Sequence, residues 1–319
     1  MVQKLISELN PGDSVIAFFV IRKKEIKFQK SSQEMYLSLE FGDRSGRIRG
    51  SLWKGVPEMN KFLLPGDIVK VKGKVITFLE QPYITIEKIR KAKPDDTIDP
   101  AQFLPVSAHD VAQLLADVQQ RLASITDAHL KTLSDTFLND QEFVDAFCSA
   151  PGGKLWHHAC IGGLLEHTLS VMKIAALISD HYGDSINKDL LMTASFLHDI
   201  GKIEEFSAKG FIDYSTPGRL LGHIAIAANL ISEKMRQFNG FPDNVREQLL
   251  HCILSHHGQK ERGSPVIPMT LEALILAHAD ELDSSVAAFS RIISREKEPG
   301  KEWSNYVNLI DRFIYLGEE

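Results

Sequence analysis

Five stretches of helical periodicity in the C-terminal two thirds of this chain each carry a metal-ligand residue type on their apolar stripe. That recurrence limits what the chain can fold into. The series runs His167, His198-Asp199, His223, His256-His257 and Asp280, with roughly 24 to 33 residues between stations, about one helix plus a connection each. His198 follows Leu191, Ala194 and Ser195 at helical spacing, and Gly201 reads as a helix stop. His223 shares a face with Ile226, Ala227 and Leu230, and Asp280 continues Ala273, Leu276 and Ala277. His256 aligns with Leu249, Cys252 and Ile253, whereas His257 aligns with Leu250, Ile253 and Leu254. His167 leads into Val171, Ile174 and Ile178. One histidine on such a face is ordinarily a packed core residue. A whole series of buried imidazoles and carboxylates is expensive without partners, and a bound cation removes that cost. Bundles build metal sites from the inward faces of packed helices. A second His-Asp pair, His109-Asp110, reads only as the start of a helix.

Residues 1–94 have a different texture. Runs at 14–21, 35–41, 47–53, 68–76 and 83–86 alternate or are rich in β-formers, broken by turn signals such as Pro11-Gly12-Asp13 and Pro65-Gly66-Asp67. Five short strands of this kind suit a small OB-type barrel. Prolines 94, 100 and 105 mark a linker at 95–106, and 107–319 is helical throughout. Asp110 with Ser107 is placed to start a helix through Ile125. Further helices are expected near 127–149, 158–182, 187–201, 219–238, 243–257, 270–294 and 301–316. The expected architecture is multidomain, a small all-β OB-type barrel followed by an all-α helical bundle.

The segment Gly162-Gly163-Leu164-Leu165-Glu166-His167-Thr168, followed by Phe196-Leu197-His198-Asp199-Ile200-Gly201-Lys202 and a late Asp280, resembles the HD-domain metal-dependent phosphohydrolases. More narrowly, Trp156-His157-His158, Ser255-His256-His257-Gly258 and Ser264-Pro265 resemble the YhaM-type 3′-5′ exoribonucleases, in which an OB-fold precedes the HD domain. The resemblance spans essentially the whole chain. It implies that His167, His198, Asp199 and Asp280 hold one ion. It further implies that His223, with one or both of His256 and His257, holds a second, and that Asp199 bridges the two. Imidazole and carboxylate ligands without a thiolate suit Mn²⁺ first, with Fe²⁺, Co²⁺ or Mg²⁺ as alternatives. Two ions generate a hydroxide and clamp the oxygens of a phosphodiester. Catalytic roles fall to Asp199 and Lys202. Two readings of Lys202 stand beside each other: neutralising a scissile phosphate, or an ordinary cation at a helix C-terminus. The 3′-to-5′ polarity rests on the resemblance alone.

Net charge is −6, but the balance is uneven. Residues 1–94 hold 18 Lys or Arg against 10 Asp or Glu, and the remainder 18 against 32. A basic barrel points to a polyanion. Arg22, Lys23, Lys24, Lys27 and Lys30 surround Phe28, and Arg44, Arg47, Arg49 and Lys54 surround Trp53. Cations tracking a backbone, with aromatics to stack on bases, are how single strands are held. The expected nucleic-acid-binding set is therefore Arg22, Lys23, Lys24, Phe28, Arg47, Arg49 and Trp53. RNA is the favoured strand; DNA and a homo-oligomer stay open. No stretch is apolar enough to span a membrane, and three scattered cysteines argue for a reducing, cytoplasmic setting. A second function stands beside the exoribonuclease: an HD phosphohydrolase of a small nucleotide, with the barrel used for assembly or regulation. The Gly-Tyr-Pro signature of cyclic-dinucleotide phosphodiesterases is replaced by Gly258-Gln259-Lys260. A nucleic-acid-binding protein with a degenerate HD domain is disfavoured by the intact stations.

Overall fold

The computed structural model describes residues 4–29, 32–93, 95, 96, 98, 102–154, 156–208, 211–238, 240–308 and 310–317. Lys30, Pro94 and part of the expected linker, Asp99 and Pro100 included, lie outside the described residues. The chain divides into two compact units, Met1–Pro105 with Ser207–Ile212, and Val106–Phe206 with Asp213–Glu319.

The first unit is a closed barrel of β1 (Ser14–Phe28), β2 (Met35–Asp43), β3 (Gly46–Leu52), β4 (Ile68–Phe78) and β5 (Gln81–Lys91), in the order β1-β2-β3-β5-β4. The alternation in the sequence becomes inside and outside. Leu37, Leu39 and Phe41 of β2 point inward with Phe19 and Ile21 of β1, and the Phe19 and Phe41 rings lie 5.7 Å apart. Burying a phenylalanine this completely makes its truncation cost about 3–5 kcal/mol. Strand β1 serves two partners. Its first half pairs with β4 from Ser14↔Lys74 to Val20↔Ile68, and a bulge between Ile21 and Lys23 turns the rest onto β2. Parallel pairing of β3 with β5 needs close backbones, and a Cβ on Gly50 would stand 2.8 Å from the Ile84 carbonyl oxygen. One element was not foreseen: α1 (Val56–Phe62), between β3 and β4, with Val56 and the following Leu63 buried in the barrel core. The buried Asp43 is satisfied by the amides of Ile6 (2.6 Å), Ser45 (2.7 Å) and Gly46 (3.1 Å), which fixes the β2–β3 turn.

The second unit is helical: α2 (Val111–Ala123), α3 (Ala128–Leu138), α4 (Gln141–Ser149), α5 (Gly163–Tyr182), α6 (Lys188–Leu197), α7 (Lys202–Glu205), α8 (Thr216–Met235), α9 (Asp243–Ser255) and α10 (Leu271–Glu296). A short ribbon of β6 (Phe206–Ser207) and β7 (Asp213–Tyr214) precedes α8. Side-chain caps begin many of these helices, as when Asp110 accepts from the amides of Ala112 (2.8 Å) and Gln113 (3.3 Å). Helix α6 is buried over nearly its whole surface, and α5, α9 and α10 pack around it. Gly201 sits at the α6–α7 corner, where a Cβ would collide with the His223 carbonyl; glycine lets the two backbones touch.

Three expected helices differ. The span 127–149 divides at Asn139-Asp140, because the Asp140 carboxylate caps α4 by accepting from Phe143 N at 3.3 Å. The span 158–182 starts only at Gly163, since His158 and Gly162 hold left-handed backbone. No helix forms among the described residues of 301–316. Pro299 follows α10, and the tail doubles back through the bridges Trp303↔Tyr315 and Val307↔Arg312, pairing Trp303 with Tyr315 and Tyr306 with Phe313. Cross-strand aromatic pairs stabilise that course.

Candidate metal centre and strand-binding groove

The five stations meet at Asp199, two residues beyond the end of α6. Its Oδ2 lies 3.3 Å from His167 Nε2, 3.4 Å from His198 Nε2 and 2.6 Å from Lys202 Nζ. Its Oδ1 lies 3.4 Å from His223 Nε2 and 3.6 Å from His256 Nε2. Asp280 Oδ1, from α10, stands 3.1 Å from His167 Nε2. His167, His198, Asp199 and Asp280 thus gather on one side of the carboxylate. On the other side, His223, His256 and His257 offer ligand atoms within 4.8 Å of one another.

Each ring presents Nε2 because its Nδ1 is already engaged. His198 and His256 cap the C-termini of α6 and α9, where the last carbonyls have no helical N–H partner. Their Nδ1–H groups donate to Ser195 O (2.8 Å) and Ile253 O (2.7 Å). His257 Nδ1 donates to Arg262 O at 2.9 Å. Gly222, at φ 73° and ψ 155°, breaks α8 just before His223. The freed amide and Nδ1 of His223 both donate to Glu205 Oε1 at 3.1 Å. His167, in the second turn of α5, has no orphan carbonyl nearby, and its Nδ1 donates to Asp283 Oδ2 at 2.7 Å.

The consequence is a buried knot of unpaired acceptors. The Nε2 atoms of His167 and His198 face each other at 3.2 Å, two lone pairs that only a cation or a proton relieves. Among the described residues, Asp199 Oδ1 and the Nε2 atoms of His223 and His256 are buried without a hydrogen-bond partner, and Asp199 Oδ2 is relieved only by the Lys202 ammonium at 2.6 Å. Native cores tolerate few such groups. Burial works to raise the Asp199 pKa, but Lys202 and the flanking imidazoles outweigh it and hold the carboxylate well below its ordinary value. Burial works to lower the His167 pKa, yet Asp199, Asp280 and Asp283 together push it well above the ordinary value. The same carboxylates that attract a proton to Nε2 attract a metal ion in its place. Imidazole nitrogens and carboxylate oxygens, with their outer nitrogens held, fit a divalent transition ion.

Lys202 is buried, its Nζ ion-paired with Asp199 and donating to Gly152 O at 2.8 Å. Arg219 is engaged outside this knot, 3.0 Å from Asp213 Oδ1. Asp283 and Glu205 were not singled out in the sequence; His158 and Glu166 stood there only within the motifs around His167, His158 as a residue bordering the cleft and neither as a ligand. Asp283 was legible in principle, three residues past Asp280 and so on the same helix face.

On the barrel, a groove of about 830 Å³ runs between β2, β3 and the β4–β5 hairpin. Arg47 and Arg49 line it with Lys27, Tyr36, Phe78 and Tyr83. Both arginines lean on Glu40, at 3.2 and 4.0 Å. Trp53 does not line the groove; it stacks on Tyr36 at 4.6 Å, with Nε1 donating to Ser51 Oγ at 3.0 Å. Lys23 and Phe28 are exposed on β1 but do not line the groove. Arg22 is half-buried across Gly42, whose missing Cβ makes room for it. Lys24 is turned to α1, where its ammonium donates to Asn60 O (2.5 Å) and Leu63 O (2.6 Å). Tyr36 and Tyr83 were missed, although the outward phase of Tyr36 against inward Leu37 and Leu39 was readable.

Residues 164–285 match the HD domain family, and residues 15–92 match the OB-fold nucleic acid binding domain family. The chain is 29% identical over 316 residues to the 3′-5′ exoribonuclease YhaM of Listeria welshimeri, covering 98% of each. Two solved structures of a domain of replication protein A from Methanococcus maripaludis, one described as its second OB-fold domain, are 24% and 29% identical. They cover 31% and 28% of this chain and 100% and 94% of their own, with TM-scores of 0.24 and 0.23. No helix among the described residues is long and apolar enough to cross a membrane.

Proposed function

We propose that this chain, which belongs to the YhaM-type family joining an OB-fold barrel to an HD domain, is a metal-dependent 3′-5′ exoribonuclease of single-stranded RNA. The observation that carries the reading is the buried Asp199 carboxylate, flanked on both oxygens by imidazole Nε2 atoms. His167, His198, Asp199 and Asp280 would hold one divalent ion. His223, His256 and His257 would hold a second, with Asp199 between them. Mn²⁺ is the favoured ion, Fe²⁺, Co²⁺ and Mg²⁺ the alternatives. When bound, such a pair supplies a hydroxide at neutral pH and neutralises charge on the phosphodiester.

The chain's own groups do the rest. Asp199 holds the two halves of the site at a fixed separation. Lys202 is kept cationic by Asp199, and two of its three donors are accounted for by Asp199 and Gly152. The third is directed to a phosphate oxygen as charge develops there. Arg47 and Arg49 contact the strand's phosphates, while Tyr36 and Tyr83 stack on its bases. Three scattered cysteines, none of them disulfide-bonded, accord with a reducing cytoplasm. The test is 5′-labelled single-stranded RNA with chelator-stripped protein and Mn²⁺ added back. A ladder shortening from the 3′ end is expected, blocked by a 3′-phosphate. Cleavage of a small cyclic or free nucleotide in preference to the strand would overturn the reading.

A further inference from the structure

We propose that Asp283 and His158 are positioning residues of the metal centre, holding the His167 ring in the one tautomer and orientation that turns Nε2 toward Asp199. The inference rests on the reading of the site given above and extends it beyond the ligands. Asp283 Oδ2 receives two imidazoles, His167 Nδ1 at 2.7 Å and His158 Nε2 at 2.9 Å. His158 Nδ1 in turn faces Glu166 Oε1 at 3.4 Å, and the other Glu166 oxygen accepts from Ser107 Oγ at 2.6 Å. A relay of side chains thus runs from a proposed ligand to the segment before α2.

His167 alone among the five imidazoles depends on such a relay. His198, His256 and His257 are oriented by backbone carbonyls, which cannot move without their helix or turn. His223 is held by Glu205 through both its amide and its ring. Asp283 by contrast is a single carboxylate on a rotatable side chain, and His158 fixes its direction from the far side. Either tautomer of a neutral imidazole is accessible, and the acceptor at Nδ1 decides which one forms. Such outer partners make a ligand both more basic and better aimed.

The backbone has been bent to place His158 there. Its φ of 43° lies in the left-handed region that a histidine seldom adopts. The turn that holds it fits only because positions 152 and 163 are glycine. A Cβ at Gly163 would collide with the His158 carbonyl, and one at Gly152 would stand 2.7 Å from the His158 Cβ. Strain of this kind persists where the surroundings over-determine a conformation, and it clusters at functional sites.

The test titrates Mn²⁺ into chelator-stripped full-length protein by calorimetry, for wild type, D283N, H158A and H158Q. An amide at position 283 can turn its NH₂ toward Nδ1 and favour the wrong tautomer without changing size. D283N is expected to weaken Mn²⁺ binding at the His167 side about 10- to 100-fold. The thermal midpoint of the ion-free protein should stay at the wild-type value. H158A should weaken binding less, and H158Q should restore part of the loss, because its side-chain amide donates from near the Nε2 position. Wild-type affinity in both D283N and H158A overturns the proposal, as does a loss of affinity that only tracks a lower thermal midpoint. If D283N fails to fold, the H158A and H158Q pair decides by the same criteria. Wild-type protein that takes up no Mn²⁺ overturns the metal reading itself and, with it, this proposal.

Discussion

Lys202 Nζ lies 2.6 Å from Asp199 Oδ2, one helical turn along the chain, and both groups are buried. The carboxylate that sits between the two histidine clusters therefore also neutralises a buried ammonium. Removing it alone leaves Lys202 uncompensated, which at a buried pair costs about 3–5 kcal/mol. Asp199→Asn should lose that much stability in denaturant titrations of the ion-free protein and lose hydrolysis altogether. Adding Lys202→Met should recover most of the stability and none of the activity. A double mutant no more stable than Asp199→Asn would show that the pair is not what holds this part of the core.

Metal content separates the two sides of Asp199. His223→Ala and His256→Ala should each reduce bound Mn²⁺ from about two equivalents to about one, because they leave His167, His198 and Asp280 in place. Elemental analysis after dialysis reads this directly. Unchanged stoichiometry in both variants would remove the second ion from the proposal.

The barrel's cations should divide into strand binders and structural groups. Arg47→Glu and Arg49→Glu should weaken binding of single-stranded RNA and lower the slope of log K against log salt by about 0.7 per lost phosphate contact. Tyr83→Ala should cost about 1–3 kcal/mol of binding through lost stacking. Lys24→Ala should instead leave RNA affinity intact and lower barrel stability by about 1.5–3 kcal/mol, since its ammonium bonds two carbonyls at the end of α1. Fluorescence anisotropy at two salt concentrations, paired with thermal melts, distinguishes the classes. Equal loss of affinity in all of these variants would mean the groove has no special role.

Close approach of the α6–α7 corner to α8 should be intolerant of a single methyl. Gly201→Ala forces its Cβ into the His223 carbonyl, so a destabilisation of about 1–3 kcal/mol is expected, together with weaker metal binding on the His223 side. A variant with wild-type stability and metal content would show that the corner can open freely.

Thiol chemistry should be slow. Burial pushes the Cys160 thiol up to about 11 and the Cys252 thiol up to about 12. Because only the thiolate reacts, at pH 8 no more than about one Cys160 in a thousand is in the reactive form. Iodoacetamide should leave both unmodified in the folded protein and label them rapidly in denaturant. Fast labelling of native Cys252 would mean that α9 opens readily.

Much of this was legible in the residues. Period-2 runs broken by Pro-Gly-Asp and Gly-Asp-Arg-Ser-Gly turns are enough to specify a small barrel, and helical stripes carrying His167, His198, His223, His256 and Asp280 specify helices that converge. Less legible was anything decided by contacts distant in sequence. Local pattern reads a helix into 301–316, but the Trp303–Tyr315 and Tyr306–Phe313 pairs form only once the tail turns back. Clustered charge marks Lys24 as a strand binder, and only the fold reveals the carbonyls of Asn60 and Leu63 beside it. Conversely, Tyr36 and Tyr83 are distant in sequence and come to line one groove because β3 pairs with both β2 and β5.

Sequence by itself determined which residue types lie on which face, because side-chain direction follows from the 3.6 and 2.0 periods of the backbone. What only the tertiary structure decided is which nitrogen each imidazole presents. That choice depends on an acceptor at Nδ1 that is a helix-end carbonyl for His198 and His256, but a carboxylate from another element for His167 and His223. A hydrogen bond reaches about 3 Å and depends on direction. No spacing along one chain segment encodes it, and it exists only after the helices have packed.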